Sequence, residues 1–246
     1  MSLTSQFRCV ALAVLALALV PSFAGATNAV IDDSISLITV QGTLSNGQDT
    51  LPVTEQAPGS LQTSLSGQLS VDISGGNISF LGGLIVPANQ GGSFLPFSTD
   101  AQLAGEVADI LPGITAVGSF RNFEFDVSSG PIPLNPDGTF DASGIFFNSL
   151  NGTFDYEVPG ILGPFSDSLG GLASAGSLTG SVELQPDGRY EVIVPFSLSF
   201  LTTIDELTLD LTAAGRIFAV TPEPSSYVLA VMAALSLAGM VYRRHK

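Results

Sequence analysis

The side chains whose types and spacing could do chemistry are carboxylates, in the groups Asp32-Asp33, Glu124/Asp126, Asp155/Glu157 and Asp205-Glu206. Oxygen-rich groups of this kind suit a calcium ion, or glycoside hydrolysis where two acids face one another across a cleft. Neither arrangement is spelled out. No segment places acids at every second position around a central glycine, as an EF-hand loop requires. Most of the acids alternate with apolar residues, Glu124 beside Phe125 and Asp155 beside Tyr156, which puts them on solvated strand faces. The pattern assigns no catalytic residue, no metal ligand and no cofactor to the body of the chain.

Missing residue types narrow the chemistry further. The one cysteine, Cys9, and the one histidine, His245, lie near the ends, and residues 27–219 hold no lysine and only Arg121, Arg189 and Arg216 as cations. Ser-His-Asp and Cys-His nucleophiles, zinc centres with nitrogen or sulfur ligands, Schiff bases and disulfides are thereby excluded from the body. The chain carries 22 acidic against 7 basic residues, a formal net charge of −15. Such a surface repels nucleic acid and anionic headgroups. Tryptophan is absent, and Tyr156 and Tyr190 both alternate onto apolar faces. That leaves few of the flat, polar-edged rings that open binding sites present.

The elements that must position these residues read as strands. Leu65, Gly67, Leu69, Val71 and Ile73 alternate with Ser66, Gln68, Ser70 and Asp72, the period of a half-buried strand. Ser74-Gly75-Gly76-Asn77 then supplies turn residues before Ile78 and Phe80 resume the alternation, a hairpin signal. Phe123, Phe125 and Val127 repeat the pattern, as do Phe154, Tyr156 and Val158, and the run Tyr190, Val192, Val194, Phe196, Leu198 and Phe200 is the longest. Pro195 removes a ladder donor from that run and belongs at an edge or bulge. Residues 100–110 come nearest to a helical period, and residues 27–60 and 159–176 read as irregular connections or an edge.

Turns recur in the same way. Asn135-Pro136-Asp137-Gly138-Thr139-Phe140-Asp141 matches Gln185-Pro186-Asp187-Gly188-Arg189-Tyr190-Glu191, and Asn151-Gly152-Thr153-Phe154-Asp155 is a shorter echo. Proline presets such a turn and glycine supplies the positive φ. Many short alternating strands with Gly-rich turns predict an all-β, antiparallel, hairpin-rich body, either a sandwich or a barrel.

Both ends carry addresses. Residues 10–20 read VALAVLALALV behind Arg8 and are followed by Ala24 and Ala26, the layout of a secretory signal peptide cut before Thr27. Tyr227 to Tyr242 is uncharged and, extended by Ser225 and Ser226, reaches the short limit of a membrane-spanning helix. Arg243 and Arg244 follow at once, and the positive-inside rule keeps them in the cytoplasm with the body outside. Just ahead of this span stands Pro222-Glu223-Pro224, an extended segment whose prolines donate no hydrogen bonds.

A Pro-Glu-Pro triplet, a short apolar helix and a terminal arginine cluster together resemble the PEP-CTERM sorting signal. The likeness covers residues 220–246 only. It implies recognition by an exosortase, a membrane-embedded transpeptidase-like enzyme that cuts near Pro222, Glu223 and Pro224, with Arg243 and Arg244 as the basic stop. The expected organisation is thus a signal peptide at 1–26, a secreted all-β domain at 27–219, and a sorting tail at 220–246 with its transmembrane helix at 227–242. The expected function is that of a non-catalytic exported protein of the cell surface or extracellular matrix. It would start as an inner-membrane precursor, with signal peptidase and an exosortase-like enzyme as partners and extracellular polysaccharide as a surrounding. A glycan- or calcium-binding matrix module, or a carboxylate-dependent polysaccharide hydrolase, are the alternatives from other classes.

Overall fold

The computed structural model describes residues 26–45, 47–169, 173–175, 178–204 and 207–222. Ala24, the segment 227–242, and Glu223, Pro224, Arg243 and Arg244 lie outside the described residues, as do Asp205 and Glu206.

In chain order the strands are β1 (Thr27–Ile31), β2 (Leu37–Ser45), β3 (Thr50–Pro52), β4 (Thr54–Glu55), β5 (Gln62–Ser74), β6 (Asn77–Pro87), β7 (Gln90–Phe94), β8 (Thr99–Ala101), β9 (Leu103–Leu111), β10 (Ile114–Ser129), β11 (Ile132–Pro133), β12 (Thr139–Asp141), β13 (Ile145–Val158), β14 (Leu162–Ser168), β15 (Ala173–Ala175), β16 (Thr179–Leu184), β17 (Tyr190–Ile204) and β18 (Leu207–Val220). A single 3-10 turn, Ala142–Gly144, is the only helical element among the described residues. The body is all-β and antiparallel, as the alternation predicts, with every strand except β7 and β8 in one 16-stranded sheet.

Several short strands are pieces of longer lanes. β1 and β2 run end to end, flanked by β18 on one side and β5 on the other. β3 and β4 lead into β5 along the next lane, pairing with β2 and β9 respectively. β6 and β9 share the same edge of β10, and between them the chain leaves the sheet as the β7–β8 hairpin. Beyond β10 come β13 and β14, and from the other end β16, β17 and β18 lead back to β1 and β2.

The sheet curls around one core. By hydrogen bonding β13 and β17 are separated by β10, β6, β5, β1 and β18, yet the rings of Phe147 on β13 and Phe196 on β17 lie 5.4 Å apart, and Phe125 on β10 meets Phe196 at 5.9 Å. The sheet therefore turns back on itself and brings these lanes face to face. The buried cluster draws on nearly every lane, including Ile38, Leu65, Leu69, Phe80, Phe125, Ile145, Val192 and Ile217.

The Pro-Asp-Gly turns match one another in detail. Gly138 N–H donates to Asn135 O and Gly188 N–H to Gln185 O, each at 2.9 Å. Gly138 and Gly188 sit at φ +82° and +84°, the left-handed conformation glycine adopts without strain. Pro195 also falls where expected: β16 pairs only as far as Ile193, so from Val194 onward β17 has no described strand on the side away from β18.

Three expectations need correction. Asn151-Gly152 is no turn but the middle of β13, opposite a bulge where the β10 register shifts between Arg121 and Glu124. Gly152 has φ +125°, and a Cβ there would come within 2.8 Å of the Phe123 backbone, so the glycine serves a close crossing. Residues 27–60 hold β1 to β4 rather than an irregular connection. The Leu37–Ser45 alternation breaks at Gly42, where the Leu211 side chain takes the space of a Cβ. Residues 103–107 form part of β9. Leu103 and Val107 enter the main core while Ala104 packs on the opposite face with Phe94 and Ala101, and burial on both faces masks the period of two. The second region read as a connection or edge holds β14, an exposed strand paired among the described residues only with β13.

Candidate functional site

The chain leaves the sheet through a short clamp. Thr221 N–H donates to Tyr190 O at 2.9 Å, and Tyr190 N–H donates to Thr221 Oγ1 at 2.8 Å. Thr221 is buried and Pro222 is exposed. Pro222, the one residue of the expected Pro222-Glu223-Pro224 triplet among the described residues, therefore directly follows the clamped Thr221. Ala26, exposed, directly precedes β1.

Three of the acids singled out in the sequence, Asp32, Asp126 and Asp155, are engaged locally. Asp32 accepts from Ser34 Oγ and Ser34 N–H, and these bonds, the hydroxyl's first, hold its carboxyl below the usual carboxylate range. Asp126 accepts from Asn148 Nδ2 at 2.8 Å. Asp155, expected on a solvated face, is buried instead: it does point outward from β13, but Arg121 covers it. Arg121 Nη1 lies 2.7 Å from Asp155 Oδ2, and Ser166 Oγ donates to Asp155 Oδ1 at 2.5 Å. Among the described residues no three acidic, histidine or cysteine side chains converge as metal ligands.

Arg121 reaches further than its ion pair. Its Nη2 donates to Phe94 O at 2.9 Å and its Nε to Asp100 O at 3.1 Å, while the guanidinium stands 5.6 Å from the centre of the Phe97 ring. One side chain thus fastens the β7–β8 hairpin to the outside of β10 and β13. Three glutamines stitch the same seam. Gln56 Nε2 donates to Gly105 O and Gly118 O at 3.0 Å, Gln90 Nε2 to Gln102 O at 2.8 Å, and Gln102 Nε2 to Pro87 O at 2.9 Å. Carbonyls left over where the β6–β9 lane breaks need such donors, but nothing in the local sequence marks a glutamine for this use.

Inside the curled sheet the core is not filled throughout. A cavity of about 280 Å³ is bounded by Val40, Phe120, Phe123, Phe147, Ser149, Leu198, Phe200 and Ala213, and a smaller one of about 60 Å³ adjoins it across Val40, Leu103, Phe120 and Leu211. Alternation identifies these residues as inward-facing but does not reveal that they leave space. Among the described residues no charged side chain lines the larger cavity, and its polar residues are Ser149 and Ser199.

No protein-family model, curated protein or solved structure matches this chain.

Proposed function

We propose that the chain is a non-catalytic exported protein of the cell surface or extracellular matrix, sorted through a tail that resembles the PEP-CTERM signal. Residues 1–26 direct export and are removed by signal peptidase. Residues 227–242 hold the precursor in the inner membrane, with Arg243 and Arg244 on the cytoplasmic side. An exosortase-like enzyme then cuts near Pro222-Glu223-Pro224 and passes the body outward to its polysaccharide surroundings.

The observation that carries the reading is the order of triplet, apolar span and basic end in residues 222–246. The exposure of Pro222 immediately after the Thr221 clamp supports it, since a processing enzyme needs an extended, accessible segment. Structural engagement of Asp32, Asp126 and Asp155 supports a non-catalytic body.

Intact-mass analysis of the protein from its native host is the test. The native chain is expected to lack residues before Thr27 and the tail beyond the triplet. Glu223→Ala is expected to be exported and inserted normally yet to accumulate in the inner membrane with residues 222–246 attached, because a charge-assisted contact to that carboxylate is the most discriminating feature the tail offers. Cleavage of Glu223→Ala at the native rate would reduce the segment to an ordinary tail anchor.

A further inference from the structure

We infer that the larger cavity is a binding site for one neutral, predominantly apolar small molecule, a property independent of the sorting tail. Four observations lead there. The first is size: an apolar cavity of about 150 Å³ is enough to hold benzene, and this one is about 280 Å³, which suits a larger guest of two or three aromatic rings or a medium-length hydrocarbon chain.

The second is the state of the walls. Phe120, Phe123, Leu198 and Phe200 point into the curled sheet and pack on its core, but each is only half-buried. Aromatic and aliphatic side chains that face inward and still keep accessible surface are short of partners. An apolar guest supplies those contacts and removes the remaining surface from water.

The third is access. Ser199 and Leu201 alternate to the outside of β17 and still border the cavity, and Leu201 is 70% exposed. Among the described residues the opening therefore lies along the edge of β17 that has no strand partner beyond Ile193. Pro195 stands on this edge, where its missing N–H costs no ladder bond.

The fourth is charge. Among the described residues no cation borders the cavity, so an anionic headgroup entering it would be desolvated without compensation, and the acidic surface adds repulsion. A neutral hydroxyl, ether or amine group is admissible. Ser149 Oγ lies on the wall with only a long bond, 3.4 Å, to Asn151 O, and is placed to pair with a single polar group of the guest.

The test uses two fluorescent probes with the same aromatic skeleton: neutral N-phenyl-1-naphthylamine and its sulfonated analogue 1-anilinonaphthalene-8-sulfonate. With the protein as recovered from its host, the neutral probe is expected to bind saturably at one site, at least tenfold more tightly than the sulfonate. Ala213→Phe, which fills the cavity from β18, and Ser149→Leu, which fills it from β13, are each expected to weaken neutral-probe binding at least tenfold while the melting temperature holds or rises. These variants carry the same ends as the native chain, so any probe taken up by the apolar terminal segments persists in them and is separated from cavity binding. Should Ala213→Phe fail to fold, Ser149→Leu decides. Absence of saturable binding, or unchanged binding in folded filling variants, overturns the site; equal affinity for the two probes overturns its preference for neutral guests.

Discussion

Along β17, Val192, Val194 and Phe196 are fully buried, whereas Leu198 and Phe200, the next members of the same alternation, are half-buried around a cavity. β10 repeats the contrast: Phe125 and Val127 are sealed, and Phe120 and Phe123 are not. One half of the curled sheet is packed inside and the other holds the cavity. In the packed half Phe80 and Phe140 meet at 5.9 Å, and the Phe140 ring occupies the space a side chain on Gly180 would need. The hollow half is instead braced from outside, where Arg121, Gln56, Gln90 and Gln102 tie the β7–β8 hairpin and the broken lane to the sheet. Alternation decides which face a side chain takes, but side-chain volume decides whether the interior closes. Where it does not close, polar fastening on the outer face does part of the work of a core.

The comparison can be broken most directly by truncating phenylalanines in the two halves. Phe196→Ala is expected to cost about 3–5 kcal/mol in urea unfolding, because its ring sits fully buried between Phe125 and Phe147. Phe200→Ala, beside space that already exists, is expected to cost roughly 1–2 kcal/mol. Equal losses would mean that the halves are packed alike.

A second substitution tests the external bracing. Arg121→Met strands the Asp155 carboxylate in a buried position, and removing one partner of such a pair costs about 3–5 kcal/mol. With that loss, the β7–β8 hairpin is expected to become the first site of limited proteolysis. Adding Asp155→Leu is expected to restore much of the stability but not the hairpin's protection, since Phe94 O and Asp100 O stay without their donor. Recovery of protection in the double variant would show that the stranded carboxylate, and not the loss of the arginine's reach, had loosened the hairpin.

Gly180→Ala sharpens the contrast from the packed side. Its Cβ would enter the Phe140 ring, and overpacking a closed core costs about 1–3 kcal/mol, so a lowered melting temperature is expected. A neutral outcome would reveal slack around Phe140.

The smallest effect belongs to the exposed turns. Hydrogen bonds from Thr139, its hydroxyl foremost, hold the Asp137 carboxyl below its ordinary value, and the Arg189 side chain does the same for Asp187. A carboxyl depressed in the folded state contributes stability that is present above its unfolded pKa and is lost as pH falls through the folded one. The melting temperature is therefore expected to slip slightly as pH drops below about 4. Asp137→Asn with Asp187→Asn should flatten that slope while keeping the turns, because an amide oxygen still accepts. An unchanged slope would assign the acid sensitivity elsewhere.

Features decided within a few residues were legible in the sequence. The two Pro-Asp-Gly turns, the Leu65–Ile73 alternation and the edge position of Pro195 each follow from local chemistry. Features decided by distant chain were not. Asn151-Gly152 has the composition of a turn, yet its glycine answers to Phe123 on another strand. Asp155 alternates outward as expected, but the arginine that covers it is 34 residues away. β9 hides its period because the hairpin gives its outer face something to pack against. The cavity left no sequence signal, since its walls use the same residue types as the filled core. The proposed sorting triplet is a short linear segment, so the reading of it rests on sequence and not on the fold.

The pairing of the first strand with the last also gives the molecule a direction. Val30 lies opposite Val220 and Ile31 opposite Ala219, so Thr27 and Pro222 emerge side by side, next to the half that Phe80, Phe140 and Ile217 fill. A tether attached beyond Pro222 would meet the body at its well-packed end, with the Thr221 clamp as the joint. The cavity half would then point away from whatever surface holds the tether, leaving its opening clear of the attachment.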